Sequence, residues 1–579
     1  MQPSARIGDY APIRSYAAIG DGRTVALVAD DGSIDWLPLP ELDSPSVFGA
    51  VLDAERGGRF ALAPELPHTV ERRYLPGTNV LETVFSTADG SVRVTDALTV
   101  PSDGLGPLRE LSRRVEGLGG TVPMAWSIEP RFGYADRPTR LGWRGAVPVA
   151  SAGGDALAVR SFAAGTPELA SDGVGARFDA REGATALVTI CATHQEPLVI
   201  PARHELEARF DATASTWRDW TDGLTYDGPW RDAVIRSALA LKLLVYAPSG
   251  ALAAAATTSL PEELGGERNW DYRFCWVRDA AFTLNALLGL SCAPEARAYF
   301  WWLMHASQLT HPHLRVLYRL DGGARAPERE LPLDGYHGSR PVRAGNAAAG
   351  QRQLDTYGDL LQTAWLFATT DHRIDRDVAR RLAEVADLVC RIWREPDAGI
   401  WEVRSEERHF TQSKMMCWIA LDRAAALAER GLIPDRHAET WRAEAEASRS
   451  FIEERCYSEE KRSYVCSAGS DELDASLLLG IVFSYGDATS ERWAGTIEAV
   501  RRELVRGPFV LRYTGEDGLA GSEGAFLPWG GRRGLRQRQR DVACGGPRRF
   551  KSDRPDWRTI PFGSDFAGRR LAIAPADSA

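Results

Sequence analysis

The chain has 579 residues, a formal net charge of −10 and a pI near 5.7. Because one hydrophobic core rarely serves so long a chain, at least two domains are expected. Hydrophobic content of 44% and charged content of 26% are typical of an ordinary globular protein. The acidic balance argues against a nucleic-acid partner or an anionic membrane surface and favours a neutral or cationic small-molecule substrate.

Neither a membrane span nor a zinc site is predicted. No apolar run approaches the roughly 18 residues of a transmembrane helix, and the first residues, MQPSARIGDYAPI, lack the apolar region of a signal peptide. The eight cysteines are scattered, without the CxxC pairs of a structural zinc site. We therefore expect reduced cysteines and a cytoplasmic location.

The first part of the chain is predicted to be β structure. Short segments rich in Val, Ile and Thr, such as TVALVADDGSIDWLPL and SVRVTDALTV, are separated by Gly or Asp clusters. This spacing predicts an antiparallel β-sandwich over residues 1–225. The pairs Asp21-Gly22 and Asp31-Gly32 are predicted hairpin turns.

From about residue 226 onward, the apolar residues recur with helical periodicity. Nine segments carry this pattern, from WRDAVIRSALALKLLVYA to SERWAGTIEAVRRELV, and no strand between them is long enough for a parallel sheet. The alternation of long polar loops with short turns favours a toroid of paired helices, with its longer loops collected at one end. Functional sites are commonly built on such loops.

One of these loops, TTSLPEELGGERNWDYRFCWVRDA, is unusually rich in aromatic and charged residues. It contains Trp270, Asp271, Tyr272, Arg273, Trp276, Arg278 and Asp279. Aromatic rings can stack on the CH faces of a sugar while Arg and Asp side chains bind its hydroxyls. A helix N-terminus in which Asp279 is a capping acid and the tryptophans belong to the core explains the same spacing equally well.

A later loop, GIWEVRSEERHFTQSK, places Glu402 directly after Trp401. A carboxyl group beside a large apolar ring is desolvated, so its pKa tends to rise and it can hold a proton near neutral pH. That property is required of a general acid. Taken locally, Glu402 is better interpreted as a solvated turn residue beside a core tryptophan.

Several of these segments together resemble a known family. The segments GDGRTVALVADDGSIDWLPLPELDSPSVFGAVL, RNWDYRFCWVRDA, GYHGSRPVRAGNAA, GIWEVRSEERHFTQSKMMCWIALDRA and SDELDASLLL are similar, in this order, to bacterial members of glycoside hydrolase family 15, the glucoamylase and trehalase-like enzymes. The resemblance extends from about residue 6 to residue 528. It implies an N-terminal β-sandwich joined to an (α/α)6 barrel over residues 226–529, and release of glucose from an α-linked sugar with inversion. It implies no metal or cofactor.

The resemblance also assigns roles to individual residues. Glu402 matches the general acid, and Arg278 and Asp279 match the pair that binds the nonreducing glucose, with Trp276 as a neighbouring wall. Trp401 is expected to line the pocket, and Arg512 matches an Arg at the boundary of the leaving-group subsite. Lys414 and Asp474 lie in matching motifs, and the resemblance gives them no clear role.

The resemblance stops after EGAFLPW. Residues 530–579 contain 11 Arg and one Lys against five Asp and no Glu, a charge of +7. Since the whole chain has a net charge of −10, the first 529 residues have a net charge of −17. No apolar stripe of helical period remains there. We expect a frameshifted or replaced basic tail that is poorly ordered; a divergent tail is the alternative. The last helices and the general base of the family would be missing, which predicts low stability and impaired turnover.

The motifs do not decide the general base, the choice between enzyme and binding protein, the substrate or the oligomeric state. Glu516, Asp517 and Glu523 are carboxylates near the break, but none matches the base motif, so no general base is identified. The alternative to a hydrolase is a noncatalytic sugar-binding or scaffold protein that keeps the glucose subsite. A phosphorylase is a further possibility, but it would need a phosphate site, and the matching loops contain no basic cluster that requires one. The sequence separates neither trehalose from maltooligosaccharides nor one oligomeric state from another.

Overall fold

The structure is a computed structural model that describes residues 2–100, 109–370, 373–507 and 509–515. The predictions for residues 530–579, and for Glu516, Asp517 and Glu523, concern residues outside this described part.

The N-terminal region is a 15-stranded antiparallel sheet. Its strands are β1 Ala17–Gly20, β2 Val25–Val28, β3 Ser33–Pro38, β4 Ser46–Phe48, β5 Phe60–Pro64, β6 Thr69–Tyr74, β7 Leu81–Ser86, β8 Gly90–Leu98, β9 Glu110–Ile128, β10 Arg140–Arg144, β11 Val147–Ala152, β12 Asp155–Phe162, β13 Glu168–Leu169, β14 Val174–Arg181 and β15 Thr185–His194. The two predicted hairpin turns join β1 to β2 and β2 to β3, with Gly22 and Gly32 at φ values of 84° and 85° that favour glycine. The prediction of an N-terminal antiparallel β domain is confirmed.

The long strand β9 organises this sheet. Its first half pairs with β8 and β15, and its second half pairs with β5 and β14. The side chains between these partners form one apolar core that includes Phe60, Val94, Trp126 and Ile190, all at most 3% exposed. Burial of this apolar surface stabilises the sheet.

A helix lies within the region predicted to be β structure. Helix α1 spans Arg203–Asp222, and it buries Leu206, Phe210, Thr213 and Trp217 at intervals of three to four residues. The prediction of β structure as far as residue 225 was therefore wrong for these residues. The segment RHELEARFDATASTW carries a helical period, but its many polar residues make the apolar stripe narrow.

The remaining described region is helical, and each of the nine predicted helices is present. They are α2 Arg231–Lys242, α3 Val277–Gly289, α4 Ala293–Gln308, α5 Asp355–Thr369, α6 Arg376–Ile392, α7 Thr411–Glu429, α8 Ala438–Arg455, α9 Leu479–Val482 and α10 Glu491–Glu503. Short 3-10 helices span Ile13–Ser15, Tyr336–Gly338, Ala347–Gly350 and Ala475–Leu478. Two- or three-residue strands occur at Val245–Tyr246, Ala251–Leu252, Cys275–Trp276, Leu317–Tyr318, Arg329–Leu331, Val342–Ala344, Tyr457–Ser458, Ser463–Tyr464, Val505–Arg506 and Phe509–Val510. Among the helices that the structure describes, none combines the length and apolar character of a membrane span.

Helix α7 is the most buried helix of this region, with α5 on one side and α8 on the other. The approach of α5 is close because a Cβ on Gly358 would lie 2.5 Å from the backbone oxygen of Met416. Helices α3, α5 and α7 are therefore neighbours, and the loops that precede them are brought together. The six-pair ring itself stays a prediction.

A buried ion pair connects the sheet region to these loops. Arg273 and Asp271 form a bidentate pair with both side chains at most 2% exposed, and the Arg273 guanidinium also donates to the backbone oxygen of Ser44 at 2.5 Å. Trp36 in β3 donates its indole N–H to the backbone oxygen of Ala256 at 2.9 Å. The sheet thus supports the loop that carries Trp276.

Candidate active site

Trp276, Arg278 and Asp279 lie where a short strand becomes helix α3. Trp276 is the N-cap residue of α3, and its backbone pairs with Leu317 in a neighbouring short strand. Arg278 and Asp279 follow in the first helical turn, where the positive end of the helix dipole favours the Asp279 carboxylate. The strand pairing fixes the direction of the helix and therefore of these three side chains.

Glu402 lies in a tight turn with an unusual backbone conformation. Its backbone N–H donates to the Gly399 oxygen at 3.2 Å, and its φ is 60°, a left-handed value that is uncommon for a non-glycine residue. The side-chain amide of Gln351 donates to the backbone oxygens of Glu402 and Val403, both at 3.2 Å. Such strained residues are held in place by their surroundings and cluster at functional sites.

The Glu402 carboxylate contacts two of the predicted site residues directly. The indole N–H of Trp276 donates to Glu402 Oε1 at 2.6 Å, and Arg278 Nη2 lies 3.4 Å from the same oxygen. Arg278 also donates to the backbone oxygen of Ile400 at 2.5 Å and lies 3.6 Å from the Asp279 carboxylate. Arg278 therefore connects the first turn of α3 to the Glu402 turn.

The surroundings of Glu402 favour its protonated form. Burial raises the pKa of the Glu402 carboxyl above its ordinary value, and the negative charge of Asp279 raises that pKa further. Arg278 and the Trp276 hydrogen bond oppose this rise, because each stabilises the carboxylate. A carboxyl group balanced in this way can donate a proton at the pH at which ordinary glutamates are ionised.

Trp401 and Arg512 form a second wall next to Glu402. The Trp401 indole N–H donates to Asp474 Oδ1 at 2.9 Å, and the Arg512 guanidinium lies 5.3 Å from the centre of the Trp401 ring. The same Asp474 oxygen accepts the backbone N–H of Ser476 at 2.7 Å. Burial raises the pKa of Asp474 to about 6. Asp474, which had no role in the sequence analysis, therefore fixes the plane of the Trp401 ring.

Two buried carboxylates lie behind Arg278. Asp355 and Asp359 are one turn apart on α5, and each is 1% exposed. Within the described residues, neither oxygen of Asp355 nor Oδ2 of Asp359 accepts a hydrogen bond of normal geometry. Burial raises the pKa of both groups, and the Arg278 charge opposes the rise. The i, i+4 spacing of two acids in an apolar helix is the sequence signal that could have identified the pair.

Lys414 has a structural position rather than a place in the pocket. It is completely buried, and its ammonium donates to the backbone oxygens of Trp393, at 2.8 Å, and Glu395, just after the end of α6. Burial lowers the pKa of Lys414. Its charge stabilises the C-terminal end of the α6 dipole.

The structure thus brings Glu402, Trp276, Arg278 and Asp279 together, and it places Trp401 and Arg512 beside them. The sequence analysis missed Glu262, Gln351 and the role of Asp474, all of which belong to the same group of loops. In the described part of the chain, no group of three or more His, Cys, Asp or Glu side chains could hold a metal ion.

Comparison with known proteins agrees with a β domain followed by a helical region. Residues 228–528 match glycosyl hydrolases family 15, and residues 7–196 match the trehalase-like N-terminal domain. The trehalase of Mycolicibacterium smegmatis is 38% identical over 558 residues, covering 89% of this chain and 81% of that protein. The trehalase of Mycobacterium tuberculosis is 38% identical over 563 residues, covering 89% of this chain and 80% of that protein. The trehalase of Thermoplasma volcanium is 31% identical over 541 residues, covering 90% of this chain and 83% of that protein.

These matches make the protein a glycoside hydrolase. The chain belongs to glycosyl hydrolases family 15, as the motifs around Arg278 and Glu402 predicted. The family match ends at residue 528, immediately before the residues in which the composition changes.

Proposed function

We propose that this protein hydrolyses an α-linked glucose disaccharide, trehalose in the first place, with inversion at the anomeric carbon. The observation that carries the proposal is the Glu402 carboxyl group, held by Trp276 and placed beside Arg278 and Asp279. Trehalose is favoured over maltooligosaccharides because the similar proteins that share most of their length with this chain are named trehalases.

In this proposal Glu402 is the general acid. Its proton passes to the glycosidic oxygen as the bond from that oxygen to the anomeric carbon breaks. Arg278 and Asp279 hold hydroxyls of the first glucose, Trp276 and Trp401 form the walls of its pocket, and Arg512 marks the side of the leaving sugar. The helices from α2 onward belong to an (α/α)6 toroid over residues 226–529, and the β-sandwich precedes helix α1.

Inversion also requires a carboxylate on the opposite face of the sugar, about 6.5–9.5 Å from the acid, to activate water. The family base is expected in the segment that residues 530–579 replace, so we propose that this chain binds and protonates its substrate with impaired water activation. Loss of a general base typically lowers the rate by about 10² to 10⁴.

The experiment is to measure glucose release from trehalose, maltose and soluble starch by the wild-type protein, Glu402→Gln and Glu406→Gln. Glu406 is exposed on the same loop and is the matched control. Glu402→Gln is expected to lower kcat at least about 10²-fold, and Glu406→Gln less than about twofold. Equal turnover by the wild-type protein and Glu402→Gln would contradict the assignment of the acid.

Azide tests the missing base. Azide needs no deprotonation, so it can attack the anomeric carbon directly while the Glu402 proton goes to the departing oxygen. The expected product is β-glucosyl azide, and azide should raise the rate of substrate consumption. Unchanged consumption with azide, together with full hydrolytic activity, would show that a base is present. If the wild-type protein and Glu402→Gln bind trehalose equally and neither consumes it with azide, the noncatalytic sugar-binding alternative is correct.

A further inference from the structure

The loop between Ser259 and Trp270 is fixed at both ends and in its middle. The backbone N–H of Ser259 donates to the Trp270 oxygen at 2.8 Å, and the backbone N–H of Gly265 donates to the Ser339 hydroxyl at 2.9 Å. Glu262 lies on this loop. Because these contacts hold the loop, the Glu262 side chain is in position before any sugar arrives.

Glu262 faces the wall formed by Arg512 and Trp401. Its Oε1 lies 3.5 Å from Arg512 Nη2, and the Arg512 guanidinium lies over the Trp401 ring. The Glu262 side chain is 15% exposed. Its second oxygen, Oε2, is buried and accepts no hydrogen bond from any residue that the structure describes. Buried carboxylate oxygens are normally hydrogen-bonded, so this oxygen is suited to a donor that a ligand supplies.

Tyr272 interacts with the charges of both Glu262 and Glu402. Burial raises the pKa of the Tyr272 phenol, and the negative charges of Glu262 and then Glu402 raise it further. The Tyr272 ring lies 5.7 Å from that of Trp276, the residue that donates to Glu402. Arg278 adjoins Glu402 directly, whereas Glu262 lies on the side of Arg512 and Trp401.

We propose that Glu262 is a binding residue for the leaving sugar, and that its carboxylate accepts a hydrogen bond from a hydroxyl of the second glucose unit of an α-linked disaccharide. The inference rests on the proposed function, in which Arg278 and Asp279 hold the first glucose. A sugar hydroxyl is a strong donor to a carboxylate, and the Arg512 guanidinium, 3.5 Å away, holds the Glu262 side chain beside the Trp401 ring.

Binding measurements test this proposal without requiring turnover. In the Glu402→Gln background, which keeps the disaccharide intact, the Kd values of trehalose, maltose and glucose are measured by titration calorimetry with and without Glu262→Gln. The added substitution is expected to raise the disaccharide Kd about 10- to 100-fold, the range for a hydrogen bond to a charged group. The Kd of glucose, which fills the first subsite alone, is expected to change less than about twofold.

Glu267→Gln is the matched control, because Glu267 is exposed on the same loop; it should leave all three Kd values unchanged. The proposal is overturned if Glu262→Gln weakens the binding of glucose and of the disaccharides equally, or weakens neither. It is also overturned if Glu402→Gln alone shows no measurable binding of a disaccharide. The proposed function fails separately, if Glu402→Gln turns over as fast as the wild-type protein. A thermal unfolding curve for Glu262→Gln that matches its parent excludes misfolding as the cause of weaker binding.

Discussion

The indole N–H of Trp276 donates to Glu402 Oε1 at 2.6 Å, so a tryptophan at the start of one helix contributes to the acidity of a carboxyl group more than 120 residues away in the sequence. The hydrogen bond stabilises the charged form and therefore lowers a pKa that burial has raised. This contact couples two loops that carry separate family motifs.

Trp276→Phe should move the alkaline limb of the pH profile of kcat/KM to higher pH. The substitution keeps an apolar ring but removes the donor, so the pKa of Glu402 rises and the acid stays protonated to a higher pH. A hydrogen bond to a charged group corresponds to a shift of about 1 to 2 pH units. The measurement is the profile with trehalose or maltose.

Trp441→Phe is the control for that shift. Trp441 is also a buried tryptophan whose indole donates to a carboxylate, Asp387 Oδ1 at 2.8 Å, but it lies on helix α8 away from Glu402. Its pH profile should match that of the wild-type protein. An unmoved alkaline limb in Trp276→Phe would mean that another group controls this limb.

Asp474→Ala should raise KM for the disaccharide about tenfold, because Trp401 loses the acceptor that fixes its ring. Asp474→Asn keeps an oxygen for the Trp401 indole and for Ser476, so KM should change less than about threefold. Tryptophan fluorescence reports the change in ring environment independently. If both substitutions changed KM equally, the Asp474 oxygen would not act as the acceptor that holds Trp401. Asp471→Ala is the control, because Asp471 is exposed.

Asp397→Asn should change how the free energy of unfolding depends on pH. Burial raises the pKa of Asp397 in the folded protein to about 7, while one of its oxygens accepts from Leu354 N at 2.9 Å and Ser413 Oγ at 2.8 Å. The folded state binds the Asp397 proton more tightly than the unfolded state does. The stabilisation that the protonated carboxyl gives the folded protein is therefore fully present below about pH 4 and is lost as the pH rises through about 7.

As the pH rises from about 4 to about 7, the wild-type protein should lose this stabilisation, whereas Asp397→Asn, which has no carboxyl group to titrate, should not. The unfolding free energy of the variant should therefore increase relative to that of the wild-type protein over this range. The expected size is a few kcal/mol, about 1.4 kcal/mol for each pKa unit. Urea unfolding at several pH values measures it. A difference that does not vary with pH would show that Asp397 has the same pKa in both states.

Lys414→Met should destabilise the protein by about 2 to 4 kcal/mol. The substitution preserves most of the side-chain volume but leaves the buried backbone oxygen of Trp393 and the partly buried one of Glu395 without this donor. Lys461→Met is the control, because Lys461 forms a partly exposed pair with Glu503 at 3.0 Å and should cost at most about 1 kcal/mol. Equal midpoints of thermal unfolding in the two variants would contradict the structural role of Lys414.

The family, and the order of a β domain and a helical region, could be predicted from the amino-acid sequence. Alternation with a period of two predicted the N-terminal sheet, and a period of 3.6 predicted nine helices, because these periods reflect local backbone geometry and one-sided burial. The motifs around Arg278 and Glu402 named the hydrolase family. Helix α1 escaped prediction because its buried face, including Leu206 and Phe210, is narrow and interrupted by polar residues.

The contacts between side chains that are distant in the sequence could not be predicted in this way. Glu262 and Trp276 come from one loop and Glu402 and Arg512 from two others, and their contacts arise because neighbouring helices place those three loops at one end of the fold. Burial and charge at Glu402 depend on these long-range contacts. A pKa is set by the surrounding volume, whereas sequence spacing reports only neighbours along the chain.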